Sequence, residues 1–193
     1  MTALATAPGL RDDRVAPRGP YPIGLAAILV TVAMLFTAFT SALVIRRTGT
    51  DWVRIALPPI VWANTLVLLL SSVALERARA AARRDLVPRI ADWLGVAALL
   101  GVLFLAGQWI AWRELVAQGI VLRTGPHPAF FYMLSAVHAA HVIGGLGALA
   151  WTLNRARGGA YSAAWHVGLN HTAIYWHFVG VVWLWLLAVL STL

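Results

Sequence analysis

The chain has 193 residues, 61% of them hydrophobic and 11% charged, with a mean hydropathy of +0.78 and a formal net charge of +8. A soluble domain carries about 25% charged residues, so this balance excludes an ordinary soluble fold and places nearly all of the chain in or beside a bilayer. The basic excess is all arginine, set between apolar runs rather than gathered in a domain of its own, which argues against a nucleic-acid partner and for membrane topology and anionic headgroups.

The chain contains no cysteine, so disulfides, thiolate metal sites and thiol redox chemistry are excluded. Residues 1–21 are polar and contain Pro and Gly. They lack an apolar core before a small-residue cleavage site, and read as a polar tail rather than a cleaved signal. The first predicted span covers 22–45 and ends at Arg46-Arg47. Its Thr31, Thr37, Thr40 and Ser41 either allow close helix packing or bond back to their own turn. A short loop follows with Asp51, Trp52 and Arg54, Trp52 reading as an interfacial anchor.

The second span covers 57–75 and opens on Pro58-Pro59. It carries Trp62, Asn64, Thr65, Ser71 and Ser72. An amide in hydrocarbon is costly unless bonded, so Asn64 is expected to face another helix. The stretch 76–92 holds five arginines and reads as a solvated loop, with headgroup contact as the sharper version and a helix prolonged as far as Pro88 as the other reading. The third span covers 93–112, with Gln108 near its end. The fourth covers 129–153 and carries His138, His141 and the small-residue pairs Ala140/Gly144 and Gly144/Ala148. After the turn 154–163, a fifth span covers 166–192 and concentrates Tyr175, Trp176, His177, Phe178, Trp183 and Trp185. A helix that only had to be apolar would use Leu and Val, so these N–H groups imply packing against protein on at least one side.

The expected fold class is therefore all-α, a polytopic bundle of five transmembrane helices. The tail, the 76–92 stretch and the 154–163 turn hold three, five and two arginines; the loops on the other side hold three and two. The excess of positive charge on the first side puts the N-terminus in the cytoplasm and the C-terminus outside.

Six histidines are the candidates for chemistry. His138 and His141 share a helix face and, with His166, His171 or His177, could hold a metal or a b-type haem. That signal is weak without a nearby carboxylate to orient the ligands, and the competing reading is that these imidazoles donate to carbonyls and hydroxyls between helices. His127 and His166 fall in loops or at the interface, where a histidine needs no special explanation. No carboxylate lies inside a predicted span, which argues against a self-contained proton pathway, and no inverted repeat points to a transporter. A b-type cytochrome and a small transporter or scaffold stand as alternatives to an accessory subunit.

Three stretches sharpen that choice. Asn64-Thr65 with Leu68 to Ser72, His138-Ala139-Ala140-His141-Val142-Ile143-Gly144, and Tyr175-Trp176-His177-Phe178-Val179 with Val181-Val182-Trp183 together resemble subunit III of the haem-copper oxidases. Gln108 also falls where that family has a Gln, and order and spacing hold from about residue 22 to 190. The resemblance is to the short five-helix bacterial form. It implies a non-redox subunit of a terminal oxidase in the bacterial inner membrane, of cytochrome c oxidase type, with a quinol oxidase or nitric oxide reductase assembly as the alternative. It further implies that haem and copper reside in the catalytic subunit I, that subunit II is a neighbour, and that structural phospholipid is bound. The subunit would support proton uptake and stability in its neighbour. Trp62, Asn64, His138, His141, Tyr175, Trp176, His177 and Trp183 are carried over as lipid or subunit contacts, with no catalytic, cofactor or metal residue. Three acids usual in the family are replaced here, at Thr31-Val32, at Gly180 and at Ala111 or Trp112.

Overall fold

The computed structural model describes residues 21–159, 161 and 167–192; the polar tail and His166 lie outside the described residues. The described residues form five α-helices, α1 (Tyr21–Arg46), α2 (Ile60–Arg83), α3 (Val87–Ala117), α4 (Pro126–Arg157) and α5 (Val167–Thr192). All five are long and apolar enough to cross a membrane. At 1.5 Å per residue they measure about 36 to 48 Å, longer than a hydrocarbon core of roughly 30 Å, so their ends reach into the headgroups.

The stretch 76–92 is not a loop. α2 continues to Arg83 because Ala78, Ala81 and Ala82 bury their small side chains against the neighbouring helix, and α3 starts at Val87 with Pro88 in its first turn. A proline there initiates a helix, since its missing N–H would have had no partner. Only three residues join the two helices. Asp85 takes the left-handed conformation (φ 54°), and Leu86 N–H donates to Ala81 O at 3.0 Å, closing the end of α2 in the manner of a Schellman turn.

Helices α2, α3, α4 and α5 pack as a closed ring, each on two neighbours, and α1 lies outside it against α4 and α5 only. In the most apolar window of each helix, 56% of residues are buried for α5 against 17% for α1, so the last helix is the centre of the fold and the first its periphery. One core fills the ring and includes Leu68, Leu94, Phe104, Leu149 and Trp176. A second, with Phe36, Leu43, Phe131 and Leu186, joins α1 to α4 and α5. The outer faces of α1, α2 and α3 carry exposed Met34, Leu66, Leu99 and Val102, as lipid or a neighbouring subunit requires.

Candidate functional site: an aromatic interlock and a lateral groove

The aromatic cluster of α5 is a lock between helices. Trp176 Nε1–H donates to Ser71 Oγ on α2 at 3.1 Å, and Ser71 in turn donates to Ala97 O on α3 at 2.8 Å. Trp183 Nε1–H donates to Thr65 Oγ1 on α2 at 3.0 Å, and Thr65 donates to Val61 O. Each hydroxyl accepts from an indole and passes its own proton to a carbonyl, so four polar groups are satisfied where no water competes. Asn64 bonds across helices as expected, its Nδ2 donating to Phe104 O on α3 at 2.9 Å.

Trp176 fits because two glycines stand aside. A Cβ on Gly101 of α3 would lie 2.7 Å from Trp176 Cη2, and one on Gly145 of α4 would lie 3.0 Å from its Cε3. Gly107 likewise makes room for the Asn64 amide. Sequence reasoning marked Gly144 as a close-approach position, whereas its neighbour Gly145 meets the indole and Gly144 faces the Tyr175 hydroxyl. The signal for Gly101 was its register, one turn before Phe104 on the buried stripe of α3, but nothing in sequence shows which glycine on a helix faces a tryptophan.

The histidines part company. His138 is buried, tilted against Trp183 at 5.1 Å between ring centroids and edge-on to Phe104 at 5.9 Å. His141 is half-buried, beside Phe36 of α1, and its Nδ1–H donates to Val137 O on its own helix at 2.8 Å. His177 faces the other way, its Nε2–H donating to Glu76 Oε1 at 2.7 Å; Arg79 bonds the same oxygen at 2.7 Å and reaches Asn170 at 3.0 Å. Continuing α2 to Arg83 thus brings a carboxylate into a membrane-length helix, which the shorter predicted span left at its end. No group of three His, Asp or Glu side chains that could hold a metal occurs among the described residues. Of the imidazoles read as candidate ligands from opposed helices, His138 is enclosed by aromatic rings, His141 bonds its own helix and His177 turns to Glu76, so these three are not brought together.

His127 is a correction. Expected in a loop or at the interface, it lies in the first turn of α4, is 1% exposed and joins three elements. Its Nδ1 accepts the Ile55 N–H at 3.1 Å, which leaves the proton on Nε2 to be donated to Leu190 O of α5 at 3.3 Å, while Trp52 meets its ring edge-on at 5.1 Å. Folding of the 47–59 connection over the end of α4 buries it. In that connection Arg46 and Asp51 form a two-pronged ion pair at 2.7 and 2.5 Å, which holds the Asp51 carboxyl below its ordinary range chiefly by hydrogen bonding.

Tyr175 donates to His141 O at 3.2 Å and also lines a groove of about 840 Å³ between α1, α4 and α5. Leu25, Ile28, Gly144 and Ala148 form its apolar length. Its polar end holds His171, Tyr161 and Arg155, whose guanidinium lies 5.1 Å over the Trp151 ring. Tyr161 is buried, and its Oη has no partner among the described residues. Trp62, by contrast, lies 55% exposed on the outer face of α2, away from both the interlock and the groove. The positions that replace the family's acids differ: Val32 and Ala111 are buried, whereas Gly180 is half-buried with room beside it, a Cβ there meeting only Ser72 Oγ, at 3.8 Å.

Residues 23–192 match the family model described as cytochrome c oxidase subunit III. Among curated relatives, the chain is 32% identical over 170 residues to a cytochrome c oxidase subunit 3 of Synechocystis sp., covering 83% of this chain and 70% of that one. It is 31% identical over 179 residues to the protein of the same name from Thermostichus vulcanus, covering 89% and 86%. A third, from Corynebacterium diphtheriae, is 32% identical over 120 residues, covering 62% and 58%.

Proposed function

The chain belongs to the cytochrome c oxidase subunit III family, and we propose that it serves there as a non-redox subunit, packed on the haem- and copper-bearing catalytic subunit I with subunit II in the same assembly. The observation that carries this reading is the use to which the polar side chains are put. Of the five described histidines in the helices, His127 bonds through both ring nitrogens, His141 and His177 through one each, His138 is enclosed by rings and His171 lines the lateral groove. The tryptophans of α5 spend their N–H groups on neighbouring helices, Trp176 and Trp183 on α2 and Trp185 on Thr40 of α1. Such a chain is built to hold its shape against neighbours, and its wide apolar outer faces are the surface on which another subunit and lipid would sit.

The location is the bacterial inner membrane, with the arginine-rich side in the cytoplasm. The lateral groove takes a phospholipid, its acyl chain along Leu25, Ile28 and Ala148 and its phosphate at Arg155, with the Tyr161 hydroxyl as a further donor. Trp62 and the outer face of α2 are contact surface for lipid or a neighbour. By this reading the chain supports proton uptake and turnover stability in the catalytic subunit without carrying electrons itself.

The test is purification of the tagged chain from its own membrane in mild detergent. Co-elution of a haem- and copper-bearing polypeptide that oxidises cytochrome c is the expected result, with the haem spectrum leaving alongside that polypeptide when the two are separated. Haem retained by the isolated chain, or a stable functional chain with no such partner, would overturn it.

A further inference from the structure

The interior of the helix ring contains two polar side chains that no described residue bonds. Gln108 on α3 is 2% exposed and His138 on α4 is 1% exposed, and none of the four nitrogen and oxygen atoms of their side-chain polar groups has a partner among the described residues. They lie at one level of one seam. On α3, Gln108 falls a turn from Phe104 and a turn from Trp112. Phe104 touches the His138 ring, and Trp112 Nε1–H donates to Ser135 Oγ at 3.0 Å. Those two contacts bracket Gln108 opposite the Ser135–His138 turn of α4.

Four donors around the pair are committed elsewhere. Trp183 gives its N–H to Thr65, Asn64 its amide to Phe104 O, Trp112 its N–H to Ser135, and Ser135 its proton to Phe131 O. The rings of Phe36, Phe104 and Trp183 lie against the His138 ring. A neutral imidazole offers one donor and one acceptor, and an amide offers both kinds. Buried groups of this kind are paired in folded proteins, and where protein supplies no partner, ordered water does, with two to four bonds each. We propose that the α3–α4 seam is a binding site for a single ordered water molecule that bridges the Gln108 amide to the His138 imidazole. The water accepts from one side chain and donates to the other. It thereby closes the polar layer that Asn64, Thr65, Ser135 and Trp183 form across the ring.

The test uses the chain in whatever assembly its native membrane holds, so it stands apart from the identity of the partner. A high-resolution density map is expected to show a peak within hydrogen-bond distance, about 2.7–3.2 Å, of one Gln108 atom and one His138 nitrogen. A direct bond between the two side chains with no peak, or an empty seam in a map that shows other buried waters, overturns the proposal. The variants Gln108→Leu, His138→Leu and the double variant give a second readout. Each single change strands the remaining side chain, so the fall in thermal midpoint for the double variant is expected to be clearly smaller than the sum of the two single falls. Additive falls would overturn a shared water.

Discussion

Gly101→Ala is the most exacting perturbation of the interlock. The new Cβ would stand 2.7 Å from Trp176 Cη2 and 2.8 Å from Leu146 Cδ2, against an ordinary carbon contact of roughly 3.5–4.0 Å. The indole cannot swing clear. Its N–H is tied to Ser71 at 3.1 Å, and its opposite edge already lies where a Cβ on Gly145 would be 3.0 Å away. Displacing a well-packed side chain in this way costs about 1–3 kcal/mol, while Ala gains about 1 kcal/mol over Gly in helix propensity. Gly95 sits on the same helix with nothing within 4 Å of its Cβ position, so Gly95→Ala registers the propensity gain alone. Gly101→Ala is therefore expected to fall below Gly95→Ala by about 1–3 kcal/mol, the overpacking cost by itself. The assay is reversible unfolding of the purified chain by denaturing detergent in mixed micelles, with tryptophan fluorescence as the signal. Adding Trp176→Phe, which removes the far edge of the ring, should recover much of the loss. Equal stability of the two alanine variants would refute the claim that the indole sits tightly against the α3 backbone.

Ser71→Ala removes the acceptor of the Trp176 N–H; interhelical bonds of this kind in membrane proteins average about 0.6 kcal/mol and reach about 1.7, and the same unfolding assay should return a loss in that range. Ser71→Thr, which keeps the hydroxyl, should lose less. His127→Phe removes the acceptor of the Ile55 N–H and the donor to Leu190 O, so hydrogen exchange should quicken at residues 53–57 and at the end of α5 while α2 and α3 keep their protection. Arg155→Leu should lower the phospholipid that co-purifies with the chain while leaving subunit association intact, as lipid analysis by mass spectrometry would show; unchanged lipid would refute the placement of the phosphate. Glu76→Gln removes the charge that both Arg79 and His177 address and should lower the thermal midpoint modestly, since the group is half-exposed and screened.

Much of this molecule follows from short-range rules that a sequence obeys wherever it folds. Five apolar runs must become helices because hydrocarbon offers no other partner for their N–H and C=O groups, and the fold class and the cost of leaving Asn64 unbonded follow from that alone. The aromatic stretch of α5 announced burial against protein for the same reason. What lay beyond the sequence was decided by which faces meet. Helical periodicity says that 76–83 can remain helical, but only the neighbouring α3 gives Ala78, Ala81 and Ala82 a surface on which to be buried, and so turns an arginine-rich stretch from loop to helix. His127 read as a loop or interface residue until the 47–59 connection closed over it, Ile55 lying seventy-two positions away along the chain. Gly101 and Gly145 became necessary only once Trp176 was placed between them, and His177 turned from candidate ligand into hydrogen-bond donor once α5 was set beside the Glu76 turn of α2. Local order is written in the period of the residues; partnership between helices depends on their rotation and depth, which no single helix specifies on its own.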